Sequence, residues 1–242
     1  HYPTTLSHHI ILPHSPTPFS YLIFPYLYPM QKGIVIKTTG SWYTVKSLKE
    51  VVPCKIKGKF RIKGIRATNP VAVGDNVIYS KNTDNTGVIT DIAERKNYII
   101  RRASNLSREY QLIAANVDEA WIIVSLRSPK TYPEFIDRFL VTCEAYEIPA
   151  NIVFNKTDLY DEDDMEEMKL LTYVYRDIGY SVYQTSALMG ENIEPVKEKM
   201  RDKLNVINGN SGVGKSRLIN AIDPELDIKT AAISEAHLTG KH

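Results

Sequence analysis

The octapeptide GNSGVGKS at residues 209–216 constrains the possible folds of this chain more than any other feature. Gly209, Gly214, Lys215 and Ser216 satisfy the pattern G-x-x-x-x-G-K-[ST], which lies between the apolar run LNVIN and the helix-like run KSRLINAI. The glycines allow successive backbone N–H groups to curl around a phosphate, and the N-terminus of the following helix adds a partial positive charge. The sequence therefore predicts a phosphate-binding loop between a strand and a helix of an α/β domain.

Within this loop, Lys215 is expected to bridge the β- and γ-phosphates of a nucleotide, and the Ser216 hydroxyl is expected to be a Mg²⁺ ligand. A Gly-rich turn that merely caps a helix is the alternative, but it does not account for the full pattern in its strand-to-helix setting. The residues expected to contact the nucleotide are Gly209, Asn210, Ser211, Gly212, Val213, Gly214, Lys215, Ser216 and Arg217.

From residue 104 onward, short β-branched runs alternate with helix-like segments. The expected strands are 120–126, 150–155, 180–186 and 204–209, and the expected helices are 133–146, 163–178 and 193–203. Alternation of this kind indicates parallel strands joined by crossover helices, with both faces of the sheet covered. Ligands of such sheets bind beyond the carboxyl ends of the strands.

The tetrapeptide NKTD, formed by Asn155, Lys156, Thr157 and Asp158, directly follows one of these strands. A carboxylate at Asp158 can accept hydrogen bonds from N1–H and the exocyclic amine of guanine, whereas adenine would leave it unpaired. Asn155 can bond to the purine and to the phosphate loop, and the aliphatic stem of Lys156 can cover the ring. The tetrapeptide alone could be a helix-capping turn, but its position favours a guanine site.

A third short element ends the next strand, at Thr185, Ser186 and Ala187. At this position a backbone N–H could meet the carbonyl oxygen of guanine. We include Ser186 and Ala187 among the expected GTP contacts, although an ordinary strand end explains these three residues equally well.

Residues 30–103 contain several β-rich segments at roughly ten-residue spacing, separated by glycines, which predicts a small closed or nearly closed barrel. One run places five cations on one face of a single strand, and this basic stripe consists of Lys55, Lys57, Lys59, Arg61 and Lys63. We expect the stripe to bind the phosphates of RNA, with Trp42, Tyr43 or Phe60 able to stack on bases. A solvated edge strand is the alternative.

The net charge of +2 is the sum of a basic part, residues 30–103, and an acidic part, residues 104–242. Residues 30–103 hold 15 Lys and Arg against 5 Asp and Glu, whereas residues 104–242 hold 15 against 23. The basic part therefore suits a polyanionic partner. The two cysteines, Cys54 and Cys143, lack the spacing of metal ligands and are expected to be reduced thiols.

Residues 1–29 differ from the rest, with six prolines and no Lys, Arg, Asp or Glu. Their apolar part is too short and too interrupted by proline to span a bilayer. We expect an upstream extension or an artefact, disordered or not native, rather than a membrane or targeting element; a histidine-based metal site there is a weak alternative.

The three nucleotide motifs resemble those of translation-type GTPases, but here NKTD and TSA precede the phosphate loop. That order resembles the circularly permuted GTPases, and a basic barrel in front is similar to the ribosome small-subunit-dependent GTPase A family. The resemblance covers residues 30–242 through GSWYTV, VGDNV, IAANVDEAWIIVS, NKTDL, TSA and GNSGVGKSRLIN.

The resemblance implies an OB-fold RNA-binding barrel at 30–103, followed at 104–242 by an α/β P-loop GTPase domain, circularly permuted, with a mostly parallel sheet. It implies GTP or GDP with Mg²⁺ as ligands, the small ribosomal subunit and 16S rRNA as partners, and a monomeric cytoplasmic protein that hydrolyses GTP late in subunit maturation. Family members also carry a C-terminal domain that binds Zn²⁺.

The chain departs from the family pattern at its end. The switch threonines, the Asp-x-x-Gly segment and the zinc domain follow the last matching residues in the family, so we expect an incomplete GTPase domain. His242 matches the family histidine that is thought to assist hydrolysis. Without the groups that hold Mg²⁺ and sense the γ-phosphate, we expect this chain to bind guanine nucleotide poorly and hardly hydrolyse GTP.

Two other functions remain open at this point. A P-loop ATPase or kinase would share the phosphate loop but leaves NKTD unexplained. A non-catalytic RNA-binding protein with a vestigial nucleotide domain would use the barrel alone.

Overall fold

A computed structural model describes residues 30–56, 70–102 and 110–226 of the chain. The first part is a closed five-stranded barrel with the strand order β1-β2-β3-β5-β4. Its strands are β1 (Gln31–Thr39), β2 (Trp42–Lys46), β3 (Val51–Ile56), β4 (Asn76–Lys81) and β5 (Gly87–Ile92). The order and the single parallel pairing, between β3 and β5, are those of an OB-like barrel.

The barrel closes around apolar residues that alternate with exposed ones along each strand. Val35, Val45, Val52, Tyr79 and Ile89 are all at most 1% exposed. Their neighbours in sequence point outward because successive strand side chains face opposite sides of the sheet. The alternation predicted for the barrel is therefore present in the strands that the structure describes.

A two-stranded hairpin follows the barrel, formed by β6 (Tyr98–Arg102) and β7 (Tyr110–Ala115). The sequence analysis assigned residues 98–102 to the barrel, whereas their hydrogen bonds run to β7 instead. In a β-rich segment the sequence shows that a strand exists but not which neighbour it pairs with. The boundary at 103/104 itself stays a prediction.

The second sheet has the order β10-β9-β8-β11, and all of its pairings are parallel. Its strands are β8 (Glu119–Val124), β9 (Ala150–Asn155), β10 (Ser181–Thr185) and β11 (Asn205–Asn208). The helices are α1 (Pro133–Ala145), α2 (Glu162–Asp177), α3 (Ile193–Met200) and α4 (Lys215–Ile222). These elements confirm the α/β alternation, with bounds shifted by a few residues.

Apolar layers cover both faces of this sheet. Every residue of β8 is buried, although alternate residues of a strand face opposite sides. Ile122 and Phe154 pack on the side of α1 and α2, in a cluster that includes Leu140 and Met168. Trp121 and Ile123 pack on the other side with the residues of α3 and α4, among them Leu218. The sheet is thus covered by helices on both faces, which leaves its carboxyl edge as the place for a ligand.

The barrel contacts the second sheet through a hydrogen-bonded junction just before β8. The amide of Asn116 donates to the carbonyl of Gly74 at 2.9 Å, and its oxygen accepts from the Lys96 amide at 3.0 Å. A β-carbon at Gly74 would lie 2.0 Å from the Ala115 carbonyl oxygen, so this close approach requires glycine. The barrel therefore packs against the residues that lead directly into β8.

Candidate guanine-nucleotide site

The carboxyl ends of the parallel strands bring the three predicted motifs to one edge of the sheet. β9 ends at Asn155, β10 ends at Thr185, and β11 runs through Asn208 into the loop that begins at Gly209. Four neighbouring parallel strands necessarily present these ends together. The structure therefore brings the NKTD, TSA and phosphate-loop residues into a single site.

Asn155 connects all three motifs through its side chain, which is only 1% exposed. Its Nδ2 donates to the Val213 carbonyl at 2.9 Å, and its Oδ1 accepts from the Thr185 hydroxyl at 3.1 Å and from the Ala187 amide at 3.0 Å. The predicted bond from Asn155 to the phosphate loop is thus present. The predicted bond to the purine stays a prediction.

Asp158 is exposed and lies in the short 3₁₀ turn Thr157–Leu159, which follows β9 after Lys156. The Ser186 hydroxyl donates to Asp158 Oδ1 at 2.5 Å, and the Met189 amide in turn donates to Ser186 Oγ at 3.1 Å. These bonds fix the direction of the carboxylate. The Asp158 carboxylate therefore lies at the solvent-exposed carboxyl edge of the sheet, beside Ser186 of the TSA motif.

The Ala187 amide, which we expected near the guanine carbonyl, donates to Asn155 Oδ1 in this structure. The Ser186 amide donates to the Glu191 carbonyl at 3.2 Å. Both amides therefore help to hold the site together, and their contact with a base stays a prediction.

Lys156 adopts a left-handed backbone conformation, with φ of 67°, which turns its side chain toward the loop that follows β8. Its Nζ donates to the Ser128 carbonyl at 2.6 Å. Burial lowers the pKa of Lys156, and the nearby Arg217 adds to that effect while Asp158 opposes it. The Lys156 side chain also reaches the phosphate loop, with its Cε 3.9 Å from the position of a β-carbon at Gly214; its covering of a purine ring stays a prediction.

The phosphate loop depends on two glycines whose conformation and surroundings exclude a side chain. Gly209 has φ of 144°, and a β-carbon there would lie 2.2 Å from the Ile123 carbonyl oxygen. Gly214 has φ of 93°, and a β-carbon there would lie 2.5 Å from Asn155 Nδ2. The loop therefore packs directly on the end of β8 and on the asparagine of the base motif.

Lys215 begins α4, and its ammonium group curls back across the loop. Nζ donates to the carbonyls of Gly209 and Asn210, both at 2.7 Å, and burial lowers the pKa of the amine. Val213 is fully buried and anchors the loop in the core. Ser211, Gly212 and Arg217 are exposed, and Gly214 and Ser216 are half-buried.

Of the predicted basic stripe, the structure describes only Lys55. It is exposed, and its Nζ lies 4.4 Å from the centroid of the Trp42 ring, which is 40% exposed. Tyr43, in contrast, is buried in the barrel core. Lys57, Lys59, Phe60, Arg61 and Lys63 lie outside the described residues, so the single basic strand stays a prediction.

Residues 1–29 and His242 also lie outside the described residues. Within the described residues, no group of three or more His, Cys, Asp and Glu side chains is arranged to hold a metal ion. No helix in that part of the chain is long and apolar enough to cross a membrane.

The sequence analysis missed the loop between β8 and α1 as part of the site. Its Leu126 amide donates to the Tyr160 hydroxyl at 2.8 Å, and that hydroxyl donates to the Asn155 carbonyl at 3.0 Å. Pro129 packs beside Gly212, 3.3 Å from the position of a β-carbon there. The signal was available, because this loop follows a buried strand at the ligand-binding edge of the sheet.

A barrel followed by a parallel sheet in which the base motif precedes the phosphate loop defines the class of circularly permuted GTPases. The family profile described as RsgA GTPase matches residues 92–242, and the profile of the RsgA N-terminal domain matches residues 32–89. The chain belongs to the RsgA GTPase family.

Relatives and solved structures agree with this assignment. A Small ribosomal subunit biogenesis GTPase RsgA of Bacteroides fragilis (strain YCH46) is 50% identical over 212 residues, which cover 87% of this chain and 68% of the relative. The protein of the same name from Phocaeicola vulgatus is 52% identical, with the same coverage.

YjeQ from Thermotoga maritima has a similar structure, with a TM-score of 0.69 and 36% identity over 84% of this chain and 68% of that one. The structure of YloQ, described as a circularly permuted GTPase, matches with a TM-score of 0.63 and 34% identity over 81% of this chain and 65% of that one. These matches confirm the predicted fold class.

Proposed function

We propose that this chain belongs to a GTP-binding and GTP-hydrolysing factor that acts late in the maturation of the small ribosomal subunit and binds 16S rRNA through its barrel; hydrolysis by the 242-residue chain alone is expected to be weak. The names of the relatives, Small ribosomal subunit biogenesis GTPase, support the subunit assignment. The observation that carries the nucleotide assignment is the Asn155 side chain, which joins the base motif to the phosphate loop.

The choice of guanine rests on the carboxylate of Asp158. N1–H and the exocyclic amine of guanine are two donors side by side, and a fixed carboxylate is their complement. The bond from Ser186 sets the direction of that carboxylate before the base arrives. Adenine presents an acceptor at N1, so it would leave the carboxylate without a partner.

The phosphate groups would be held by the loop amides and by Lys215. Its amine is bonded to two loop carbonyls at 2.7 Å and can exchange these neutral acceptors for phosphate oxygens, which bind a cation more strongly. Burial favours that exchange because the neutral surroundings disfavour the charged amine. Loop amides and Lys215 then stabilise the negative charge that develops when the γ-phosphoryl group leaves.

Mg²⁺ would be held by the hydroxyl of Ser216 together with phosphate oxygens and water. A hard hydroxyl donor beside Lys215 fits this ion, which takes few protein ligands when it binds a nucleotide. When bound, Mg²⁺ neutralises phosphate charge in the transition state.

The barrel carries the proposed contact with rRNA. The exposed Trp42 and Lys55 lie opposite each other on β2 and β3, because Tyr43 pairs with Cys54 in that register. The β2–β3 face is the surface that OB folds commonly use for oligonucleotides. An exposed aromatic ring next to a cation can combine base stacking with phosphate attraction. We also propose that the protein acts as a monomer in the cytoplasm, where ribosomal subunits mature.

Nucleotide competition tests the guanine assignment. Unlabelled GTP should displace a fluorescent GDP analogue from the 242-residue chain, whereas ATP should not. Asp158→Asn should weaken GTP binding about tenfold or more and improve XTP binding, since the amide can donate to the C2 carbonyl of xanthine. Equal competition by ATP and GTP would favour the ATPase or kinase alternative.

Charge reversal at Lys57, Lys59 and Arg61 tests the rRNA contact. Association with small subunits, measured by co-sedimentation, should be lost while nucleotide affinity remains. A matched control reverses three cations on the helices of the second domain, namely Arg138, Lys169 and Lys197. Survival of subunit binding in the barrel variant would mean that the stripe is a solvated face. In a protein that also carries the switch threonines and the Asp-x-x-Gly segment, subunit binding with no GTP hydrolysis would favour the vestigial alternative.

A further inference from the structure

The loop at residues 125–132, between β8 and α1, is held at several points around the base motif, and one of these involves an ion pair that the proposed function does not use. We infer that Arg127 is a positioning residue for guanine-nucleotide binding, acting through Ser128 on Lys156. This inference rests on the proposed function, because it concerns the affinity of the same site.

Arg127 is anchored to the start of α2. Its Nη2 donates to Asp161 Oδ2, and its Nε lies 2.8 Å from Asp164 Oδ2. Asp161 is the N-cap of α2, and it forms a reciprocal capping box with Asp164, whose side chain is only 12% exposed. Both carboxylates are therefore fixed by the helix terminus, so the guanidinium has a rigid partner rather than two mobile ones.

The residue after Arg127 transmits this anchoring to the base motif. Ser128 has a left-handed backbone, with φ of 51°, and its carbonyl accepts from Lys156 Nζ at 2.6 Å. Pro129 then lies against Gly212 of the phosphate loop. A shift of this segment would move the acceptor of Lys156 and the neighbour of the phosphate loop together.

Lys156 needs that acceptor for its stem to act as a wall of the base pocket. A lysine side chain has several rotatable bonds, and holding it in one conformation has an entropic cost. The hydrogen bond to the Ser128 carbonyl orders the Lys156 side chain already in the ligand-free protein, so nucleotide binding does not have to order it. Without the Arg127 anchor, part of this entropy would be lost on binding instead, which corresponds to about three- to tenfold weaker binding.

The chain offers a closely matched control in Lys130. It belongs to the same loop and pairs with Glu167 on the same helix at 2.7 Å, and its side chain is 43% exposed, against 44% for Arg127. Lys130→Ala therefore removes a comparable loop-to-α2 ion pair, but one that does not adjoin the acceptor of Lys156.

The test measures dissociation constants of a fluorescent GDP analogue for the 242-residue wild-type chain, Arg127→Ala and Lys130→Ala, with the melting temperature of each. Arg127→Ala should bind about three- to tenfold more weakly, and Lys130→Ala should bind like the wild type, with similar small changes in melting temperature. In a Lys156→Ala background, Arg127→Ala should have little further effect, because the two residues act in series.

The preference for GDP over IDP gives an independent readout. Inosine lacks the exocyclic amine that Asp158 recognises, whereas covering of the ring by Lys156 does not distinguish the two bases. Arg127→Ala should therefore weaken both ligands equally and leave their ratio unchanged. A changed ratio, an additive effect in the Lys156→Ala background, or wild-type affinity in Arg127→Ala would each overturn the inference. Absence of GDP binding by the wild-type chain even at millimolar GDP analogue would instead overturn the proposed function, whereas weak binding agrees with it.

Discussion

Replacement of Asn155 by alanine should disconnect the base motif from the phosphate loop. The change removes one donor and one acceptor that together make three hydrogen bonds, of 2.9, 3.1 and 3.0 Å. It leaves the Val213 carbonyl, the Thr185 hydroxyl and the Ala187 amide without these partners. All three groups are buried, so water can replace the lost bonds only in part.

The size of the effect follows from these three bonds. A hydrogen bond of this kind contributes about 1 kcal/mol net, so the free energy of unfolding should fall by about 3 kcal/mol. For a chain of this size, that corresponds to a melting temperature lower by about 6–12 °C. If the whole loss fell on the ligand-binding conformation, the affinity for GDP would fall about 100-fold, which sets the upper limit.

The assay combines thermal unfolding with titration of a fluorescent GDP analogue. Asn151→Ala is the matched control, because Asn151 lies at the opposite end of β9, is 2% exposed, and donates to Glu119 Oε2 at 2.5 Å. The control should lower the melting temperature yet bind GDP like the wild type. If Asn155→Ala and Asn151→Ala lost equal affinity, Asn155 would be a structural residue of the strand and the reasoning above would be wrong.

Two further predictions concern the phosphate loop and the thiols. Gly209→Ala should abolish GDP binding, because the new β-carbon would collide with the Ile123 carbonyl at 2.2 Å; the titration above checks this, and near-normal binding would contradict the loop geometry. Burial raises the pKa of both Cys54 and Cys143 to about 11, so a thiol reagent at pH 8 should react with the folded chain far more slowly than with the urea-unfolded chain. Because the unfolded thiols lose protons first as pH rises, the free energy of unfolding should fall between about pH 9 and 11, which urea titrations at several pH values can follow. Rapid labelling of the folded chain at pH 8 would show that the thiols are not buried.

The sequence was sufficient for the motifs and for the type of sheet. Each motif needs a particular residue type at a particular position. The phosphate loop needs glycine at 209 and 214, where the backbone lies against β8 and Asn155, and the base motif needs the carboxylate of Asp158 to recognise guanine. The helix-like run KSRLINAI has the same bounds as α4. These features are local in the chain, so a pattern of neighbouring residues can reveal them.

The features that sequence reasoning missed depend on contacts between distant residues. The pairing of Tyr98–Arg102 with β7 rather than with the barrel is a choice among strands of similar composition. The role of the loop at 125–132 likewise depends on Lys156 and Asp161, which lie about 30 residues further along the chain. The Asn155 side chain was placed correctly toward the phosphate loop, but its bond to the Ala187 amide required knowledge of the β9–β10 register.

The pairing of β11 with β8 has a consequence for the order of folding. Trp121 and Asn205 share a hydrogen bond across these strands although they are 84 residues apart in sequence. Closing a segment of that length carries an entropic cost of about 4 kcal/mol. The β8–β9 and β9–β10 pairings close segments of 30 residues, as in Ala120 with Ala150 and Asn151 with Ser181, and each costs about 1 kcal/mol less by the same scaling. We therefore expect β11 and its phosphate loop to join the sheet after these three strands. A nucleotide that binds there would act as a late clamp, holding the final strand against a scaffold that has already formed.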